Sequence, residues 1–173
     1  LLDCFTMREG GRGDPRRQLL RVVEGIRGRV NLRLLVVPRL DYGDLKPWLR
    51  YEEEQRYSVI GGDDALMISG DPELVPSGDH DLDASFTVRA GERVRLSIVS
   101  VRPEVLDYDP HEVADSDELD CRLEETLEWW HNWSSRVQFD GPDRPGVMRS
   151  AMALKALTYA PTGAIAAAAT SAT

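Results

Sequence analysis

The sequence predicts a mainly β chain with C-terminal helices, in which an antiparallel β-sandwich comes before two helices. Between residues 19 and 101, apolar and polar side chains alternate with the period of half-buried strands. Short turns rich in Gly and Asp separate these runs, and short connections favour antiparallel neighbours. After Pro110 the apolar period becomes helical. We therefore divide the chain into a sandwich at 1–106, an acidic helical connector at 107–139 and a second helical region at 140–173.

Two segments show the strand period most clearly. Apolar side chains occupy every second position at Val30, Leu32, Leu34 and Val36, and again at Val94, Leu96 and Ile98. Each of these strands should bury one face. The turns between strands contain Arg27-Gly28, Gly61-Gly62-Asp63-Asp64 and Ala90-Gly91-Glu92. Successive strands joined by such turns predict a meander that forms all or part of a sandwich.

The two helices are predicted by apolar spacing and by the residues at their ends. The first helix has an apolar stripe at Leu119, Leu123, Leu127, Trp130 and Trp133. Asp117 or Ser116 is available as its N-cap. The helix dipole favours the acidic side chains in its first turns. The second helix should run from about residue 144 to residue 159, until Pro161 and Gly163 end it. Apolar residues lie almost all round this second helix, so it should be buried on several sides.

The net charge of −9 is concentrated in one stretch of the chain. The 173 residues, with 42% hydrophobic and 29% charged side chains, fit a soluble globular protein of one domain, or of one domain and part of another. Residues 107–128 contain ten acidic side chains and one base, which accounts for the whole deficit. An acidic chain without a basic cluster excludes nucleic acid as a partner. We interpret the acidic stretch as a solvated connector.

The cysteines and the hydropathy set further expectations. Cys4 and Cys121 lie far apart and lack any paired spacing, so they predict neither a disulfide framework nor a zinc site, although a single disulfide between them is the alternative. No window reaches the roughly 18 to 20 apolar residues of a membrane span, and no signal segment opens the chain. We therefore expect a cytoplasmic protein with no membrane partner.

Several patterns suggest a site and have a simpler interpretation. The alternating carboxylates of Asp79-His80-Asp81-Leu82-Asp83 resemble a calcium loop, but Ala84 and Ala90 stand where the EF-hand requires Gly and Glu, which favours a solvated acidic loop. His80, His111 and His131 have no spacing suited to metal ligation. We therefore expect no metal and no cofactor.

Three further patterns resemble binding or catalytic sites. Trp129, Trp130 and Trp133 could stack against sugar rings, but Trp130 and Trp133 lie on the apolar stripe, which favours packing and leaves Trp129 as the candidate. Glu52-Glu53-Glu54 is more simply a charged hairpin tip than a pair of catalytic carboxylates. Gly10-Gly11-Arg12-Gly13 lacks the strand and helix that flank a phosphate loop. The sequence therefore nominates no catalytic, cofactor-binding or metal-binding residue.

Five blocks of residues occur in an informative order. They are Leu20-Arg21-Val22-Val23-Glu24-Gly25 with Gly28-Arg29-Val30; Pro38-Arg39-Leu40-Asp41-Tyr42-Gly43 with Pro47-Trp48; the run 86–94; Trp129-Trp130 with Trp133-Ser134; and Asp140-Gly141-Pro142 with Arg149-Ser150 and the run 154–165. In this order they resemble the bacterial proteins of glycoside hydrolase family fifteen, the glucoamylase- and trehalase-like enzymes. The resemblance spans essentially the whole chain, and its last block is the most specific.

The resemblance implies the N-terminal β-sandwich domain of a glucoamylase-like enzyme, followed by a linker helix at 107–139 and, at 140–173, by the first helix and loop of an (α/α)₆ catalytic barrel. In that family two barrel Glu residues act as general acid and general base with inversion, and neither maps onto a residue of this chain. The parent's substrate would be an α-glucan or trehalose. The terminal run 169–173 departs from the Thr-Thr-Ser-Leu-Pro sequence expected there.

The resulting hypothesis is a non-catalytic N-terminal fragment of a glycoside hydrolase. The chain begins within an apolar alternation and without Met, and it ends on a run of small residues at 164–173, so we expect cuts near both ends and a sandwich that lacks its N-terminal strands. We also expect self-association through the exposed first barrel helix. The alternative is a stand-alone carbohydrate-binding or structural β-sandwich module, and a third possibility is a complete small enzyme.

Overall fold

The computed structural model describes residues 1–11, 16–52, 55–106 and 114–167, which contain nine β-strands and two α-helices. The strands are β1 (Leu2–Phe5), β2 (Gln18–Glu24), β3 (Arg29–Val36), β4 (Trp48–Tyr51), β5 (Tyr57–Gly61), β6 (Asp64–Gly70), β7 (Val75–Ser77), β8 (Asp81–Arg89) and β9 (Arg93–Val101). The helices are α1 (Ser116–Ser134) and α2 (Arg144–Ala156). Short 3₁₀ turns lie at Asp41–Gly43 and Pro103–Val105. The expectation of a mainly β chain with C-terminal helices is confirmed.

The strands form two sheets in which every pairing is antiparallel. The six-stranded sheet has the order β1-β2-β9-β6-β5-β4, and the three-stranded sheet has the order β3-β8-β7. The tight turns predicted at Gly62 and Gly91 join β5 to β6 and β8 to β9, and both glycines have positive φ. Strand β9 lies between β2 and β6 and is therefore paired along both edges.

The main hydrophobic cluster draws side chains from both sheets. Its buried members are Leu34, Tyr57, Val59, Ile68, Leu74, Leu82, Ala84 and Leu96. The alternation predicted around Leu34 is observed there, since Leu34 is buried and the neighbouring Leu35 is exposed. Around Leu96 it is not, because Leu96 and the neighbouring Ser97 are both buried. Fully burying a Leu or Ile side chain contributes about 1.5 to 3 kcal/mol, so this cluster dominates the stability of the β region.

A second cluster joins helix α1 to the six-stranded sheet. Leu119 and Leu123 of α1 are buried against Leu20 and Val22 of β2, with Cys4 of β1 packed beside them. Strand β1 is therefore held both by its pairing with β2 and by the helix. Helix α1 therefore lies against the six-stranded sheet along this contact.

The N-cap and the buried face of α1 differ from the sequence prediction. The cap is Asp115, whose Oδ1 accepts a 2.8 Å hydrogen bond from the N–H of Glu118, so the prediction of Asp117 or Ser116 was wrong. Leu127 was predicted on the buried stripe and is 53% exposed, whereas Thr126 is 1% exposed. At about 100° per residue, Thr126 lies about 20° from the direction of Leu119 and Leu127 lies about 80° away.

Helix α2 is shorter and more exposed than predicted. It ends at Ala156, because Leu157 adopts the cap position and Thr158 pairs with Ile165. Asp143 is its N-cap. None of the residues of α2 is buried, so the predicted burial on several sides is absent from the described part of the chain. Neither described helix is long and apolar enough to cross a membrane.

Three described carboxylates of the acidic segment form ion pairs with arginines. Asp120 binds Arg93 and Arg95 of β9, and Glu125 binds Arg16. Glu118 pairs with Arg122 one turn along α1. The expectation of a solvated connector is therefore corrected for Asp120 and Glu125, which hold the helix to the β region.

Candidate functional site

The alternating carboxylates near His80 belong to a strand instead of a metal loop. Asp81 and Asp83 begin β8, where they bind Arg39 and Arg33. The hydrogen bond from Arg33 lowers the pKa of Asp83. No group of three His, Cys, Asp or Glu side chains suited to a metal ion occurs among the described residues. The prediction of a solvated loop was wrong for Asp81 and Asp83, because both residues lie in strand β8.

The two described histidines, His80 and His131, lie on different segments. His80 is half-buried, and its Nδ1 lies 2.7 Å from the carbonyl oxygen of Pro47. His131 is exposed on α1. His111 lies outside the described residues.

The acidic segment 52–54 and the glycine-rich segment 10–13 lie only partly within the described residues. Glu52 accepts hydrogen bonds from Arg50 and Ser58. Burial alone would raise the pKa of Glu52, but these two bonds together with the positive charges of Arg50 and Arg56 lower it. Glu53 and Glu54 lie outside the described residues, as do Arg12 and Gly13. Gly10 and Gly11 form part of a turn.

Both cysteines are free thiols. Cys4 is half-buried beneath α1, and burial raises the pKa of its thiol. Cys121 is exposed on α1. The alternative of a single disulfide between them is therefore not observed.

The three tryptophans of α1 form one aromatic cluster. The ring centroids of Trp129 and Trp130 are 5.0 Å apart, those of Trp130 and Trp133 are 6.0 Å apart, and both pairs are close to perpendicular. Such edge-to-face contacts stabilise ring pairs beyond the area they bury. The Lys155 ammonium of α2 lies 5.6 Å from the Trp129 ring centroid. Packing and partial exposure coexist, because all three indoles are half-buried.

A cleft of about 560 Å³ lies between α1 and the segment before β2. We call it the tryptophan cleft, and its lining residues are Arg8, Glu9, Gly10, Arg16, Glu125, Glu128, Trp129, Asn132, Trp133 and Arg136. The α1 members recur at intervals of three and four residues, which places them on one helix face. Trp130 does not line the cleft, so it supports the two rings that do.

The N-terminal wall of the cleft is fixed to α1. The N–H of Met7 donates to Oγ1 of Thr126 at 2.9 Å, and that hydroxyl donates to the carbonyl oxygen of Arg122 at 2.7 Å. Nη1 of Arg16 lies 2.7 Å from Oε2 of Glu125. A backbone-to-side-chain hydrogen bond and an ion pair therefore hold this wall against α1, which sets the width of the cleft.

A buried polar network lies beneath this wall. Oε1 of Gln18 accepts hydrogen bonds from Thr6 and from Arg122, both at 3.1 Å. Nε2 of Gln18 donates to Oγ of Ser97 at 2.8 Å. Gln18 and Thr126 are both almost completely buried, so this network ties strands β2 and β9 to the helix.

The cleft combines opposite charges with aromatic surface. Three guanidinium groups (Arg8, Arg16 and Arg136) and three carboxylates (Glu9, Glu125 and Glu128) line it together with the amide of Asn132. Trp129, which lies off the predicted apolar stripe, lines the cleft, and so does Trp133, which was predicted on that stripe. No local pattern in the sequence indicated Arg8 or Arg16, because they approach α1 only through the tertiary fold.

The chain is similar to trehalases. It is 29% identical over 172 residues to the trehalase of Mycobacterium tuberculosis, an alignment that covers 91% of this chain and 23% of that protein. It is also 49% identical over 49 residues to the trehalases of Thermoplasma acidophilum and Thermoplasma volcanium, covering 28% of this chain and 8% of each of them. The chain thus spans less than a quarter of the length of these curated relatives. No protein-family model matches it.

Proposed function

We propose that the chain is a non-catalytic N-terminal part of a glycoside hydrolase of the family fifteen type, whose full-length parent hydrolyses α-glucosidic bonds. The observation that carries the proposal is the similarity to a trehalase across 91% of this chain, within 23% of that protein. Trehalose, maltooligosaccharide and dextrin are the substrates to test on the parent, which we place in the cytoplasm.

The proposal assigns a role to each region of the chain. The two sheets that share the main hydrophobic cluster would form a β-sandwich domain at 1–106. The region 107–139, with α1, would be the linker, and 140–173, with α2, the first helix and loop of the barrel. The parent would use two barrel glutamates, roughly 6.5 to 9.5 Å apart, as acid and base with inversion. No catalytic residue is assigned to this chain.

Self-association through α2 is part of the proposal. Leu154 is exposed on that helix, and neighbouring apolar side chains are only half-buried. Apolar surface of this kind favours contact with a second copy. Light scattering across a concentration series should detect a dimer or larger species, and a strict monomer at high concentration would contradict this part.

Glucose release tests the glycosidase proposal. The chain should release no glucose from trehalose, maltose or dextrin, whereas the protein encoded by the complete reading frame should release it. Proton NMR of the first product should show the β-anomer, as inversion at an α-glucosidic bond requires. Turnover by this chain alone, lost on substitution of one of its own residues, would overturn the non-catalytic assignment.

The second candidate function is that of a stand-alone carbohydrate-binding or structural module. The tryptophan cleft favours the carbohydrate-binding form of this candidate. Its aromatic rings can pack against the apolar face of a sugar ring, and the charged and amide groups beside them can hydrogen-bond the sugar hydroxyls. A saccharide titration of the chain distinguishes binding from a purely structural role.

A further inference from the structure

We propose that the tryptophan cleft binds a neutral saccharide of one or two pyranose rings. The inference deepens the carbohydrate-binding candidate and rests on it. It assigns the apolar contact to Trp129 and Trp133, and the hydroxyl contacts to the arginines, glutamates and Asn132 around them.

The size of the cleft suits a small ring ligand. Its volume is about 560 Å³. Sites for small molecules range from roughly 300 to 1,000 Å³. A mono- or disaccharide falls within that range, and a long glucan would extend beyond the cleft.

The balance of charge favours a neutral ligand. An anion that approached Arg136 would also meet the carboxylates of Glu125 and Glu128, and a cation would meet the arginines. A hydroxyl group both donates and accepts, so a polyhydroxylated ring can use guanidinium donors and carboxylate acceptors together. Asn132 adds a donor and an acceptor on the same helix face.

The aromatic wall is held in place before any ligand arrives. Trp130 contacts both Trp129 and Trp133 through near-perpendicular ring pairs, and Lys155 lies over the Trp129 ring. Rings that are already ordered lose little conformational freedom on binding, which favours affinity. Both rings are half-buried and therefore retain surface that faces the cleft.

The described residues of the opposite wall are held by contacts with α1 and with one another. Arg16 is held by its ion pair with Glu125, and its Nη1 also lies 3.4 Å from the carbonyl oxygen of Met7. Met7 is in turn bound to Thr126. A ligand that fills the cleft would contact two walls whose separation the fold already sets.

The test is a titration of the whole chain with trehalose, maltose and glucose, followed by calorimetry and by NMR of the indole N–H signals. The chain has four tryptophans, so each indole signal can be assigned by substitution. We expect sugar to shift the signals of Trp129 and Trp133. The signal of Trp48, which is 61% exposed on edge strand β4, should stay in place. Sulfate should shift none of them.

Matched variants locate the site. Trp133→Ala and Arg136→Ala should each weaken sugar binding about tenfold or more, because each removes one ring contact or one charged donor. Trp133→Phe keeps an aromatic wall and should lose less, and it serves as the test if the Ala variant fails to fold. Trp48→Ala is the control and should bind the sugar as tightly as the unsubstituted chain does.

The outcomes separate this site from the function on which it rests. If no sugar binds, the site and the carbohydrate-binding candidate both fail. If sugar binds but only Trp48→Ala weakens it, the chain binds carbohydrate elsewhere and the cleft is overturned as the site. Sulfate binding without sugar binding would identify an anion site and overturn the proposal.

Discussion

Arg95 of β9 and Asp120 of α1 form a two-pronged ion pair. Nε of Arg95 donates to Oδ1 of Asp120 at 2.9 Å, and Nη2 donates to Oδ2 at 2.7 Å. The side chains are 14% and 23% exposed, respectively, and Arg95 also binds Asp71. The hydrogen bond from Arg95 holds the pKa of Asp120 below its ordinary value, although burial alone would raise it. The helix is thus attached to the sheet by charge as well as by apolar contact.

Asp120→Asn should destabilise the fold by about 1 to 3 kcal/mol at neutral pH, since it removes the charge from hydrogen bonds to a mostly buried guanidinium. The folded-state pKa of Asp120 is lowered, so its contribution is complete above the ordinary carboxyl value of about 3.9 and is lost as the pH falls through the folded-state pKa. Denaturant unfolding at neutral pH and at about pH 3 should show the difference between parent and variant shrink in acid. Glu124→Gln, on the exposed face of α1, should have little effect at either pH.

Leu119→Ala and Leu127→Ala separate the buried face of α1 from the predicted stripe. Leu119 is buried against β2, and its truncation should cost about 2 to 5 kcal/mol. Leu127 is mostly exposed, so its truncation should change the free energy of unfolding by no more than about 0.5 kcal/mol. Urea unfolding curves fitted with one common m-value give the change in the free energy of unfolding for each variant. Equal losses would mean that the helix docks with a different face.

Thr126→Val should weaken the N-terminal wall of the tryptophan cleft. The variant keeps the side-chain shape and removes the acceptor of the Met7 N–H, which should cost about 1 to 3 kcal/mol. Thr126→Ser keeps the hydroxyl and should retain most of the stability. Hydrogen exchange at the Met7 amide should accelerate in the Val variant alone, and unchanged protection there would argue against this bond.

Gly25→Ala should be among the most damaging substitutions of a small residue. A Cβ at Gly25 would overlap the carbonyl of Arg89, and the Gly25 N–H and C=O bind the backbone of Glu92 and Gly91. Gly91→Ala has open space and a positive φ, so its cost should be limited to about 1 kcal/mol of backbone strain. Thermal unfolding of the two variants compares a steric clash with conformational strain, and a milder effect at Gly25 would contradict the expected close approach.

The parts of the fold that depend on local patterns could be predicted from the sequence. Period-two alternation identified the strands around Leu34 and Leu96, and Gly62 and Gly91 marked the tight turns from β5 to β6 and from β8 to β9. Helix positions followed from apolar spacing, with errors at the ends. The face that docks was misjudged, because a stripe with steps of four drifts around the helix and brings Thr126, rather than Leu127, onto the sheet.

The candidate site could be predicted only in part. Trp129 and Trp133 are four residues apart, which puts them on one helix face, but the predicted stripe contained Trp133 and not Trp129. Arg8 and Arg16 reach the same cleft from more than a hundred residues away, and no local period encodes such a contact. The place of Asp81 and Asp83 in a strand could not be predicted, because their partners Arg39 and Arg33 lie on a distant segment that only strand pairing brings near.

The bond between Met7 and Thr126 has a consequence for the order in which the protein is made. These residues are 119 positions apart, so the first strands leave the ribosome long before α1 does. At 5 to 20 residues per second, the delay is about 6 to 24 s. Until Leu119 and Leu123 have been made, Leu20 and Val22 lack their helical cover, and nascent β2 exposes an apolar face. Translation speed, and the chaperones that meet the nascent chain, therefore determine how long this face is open to aggregation.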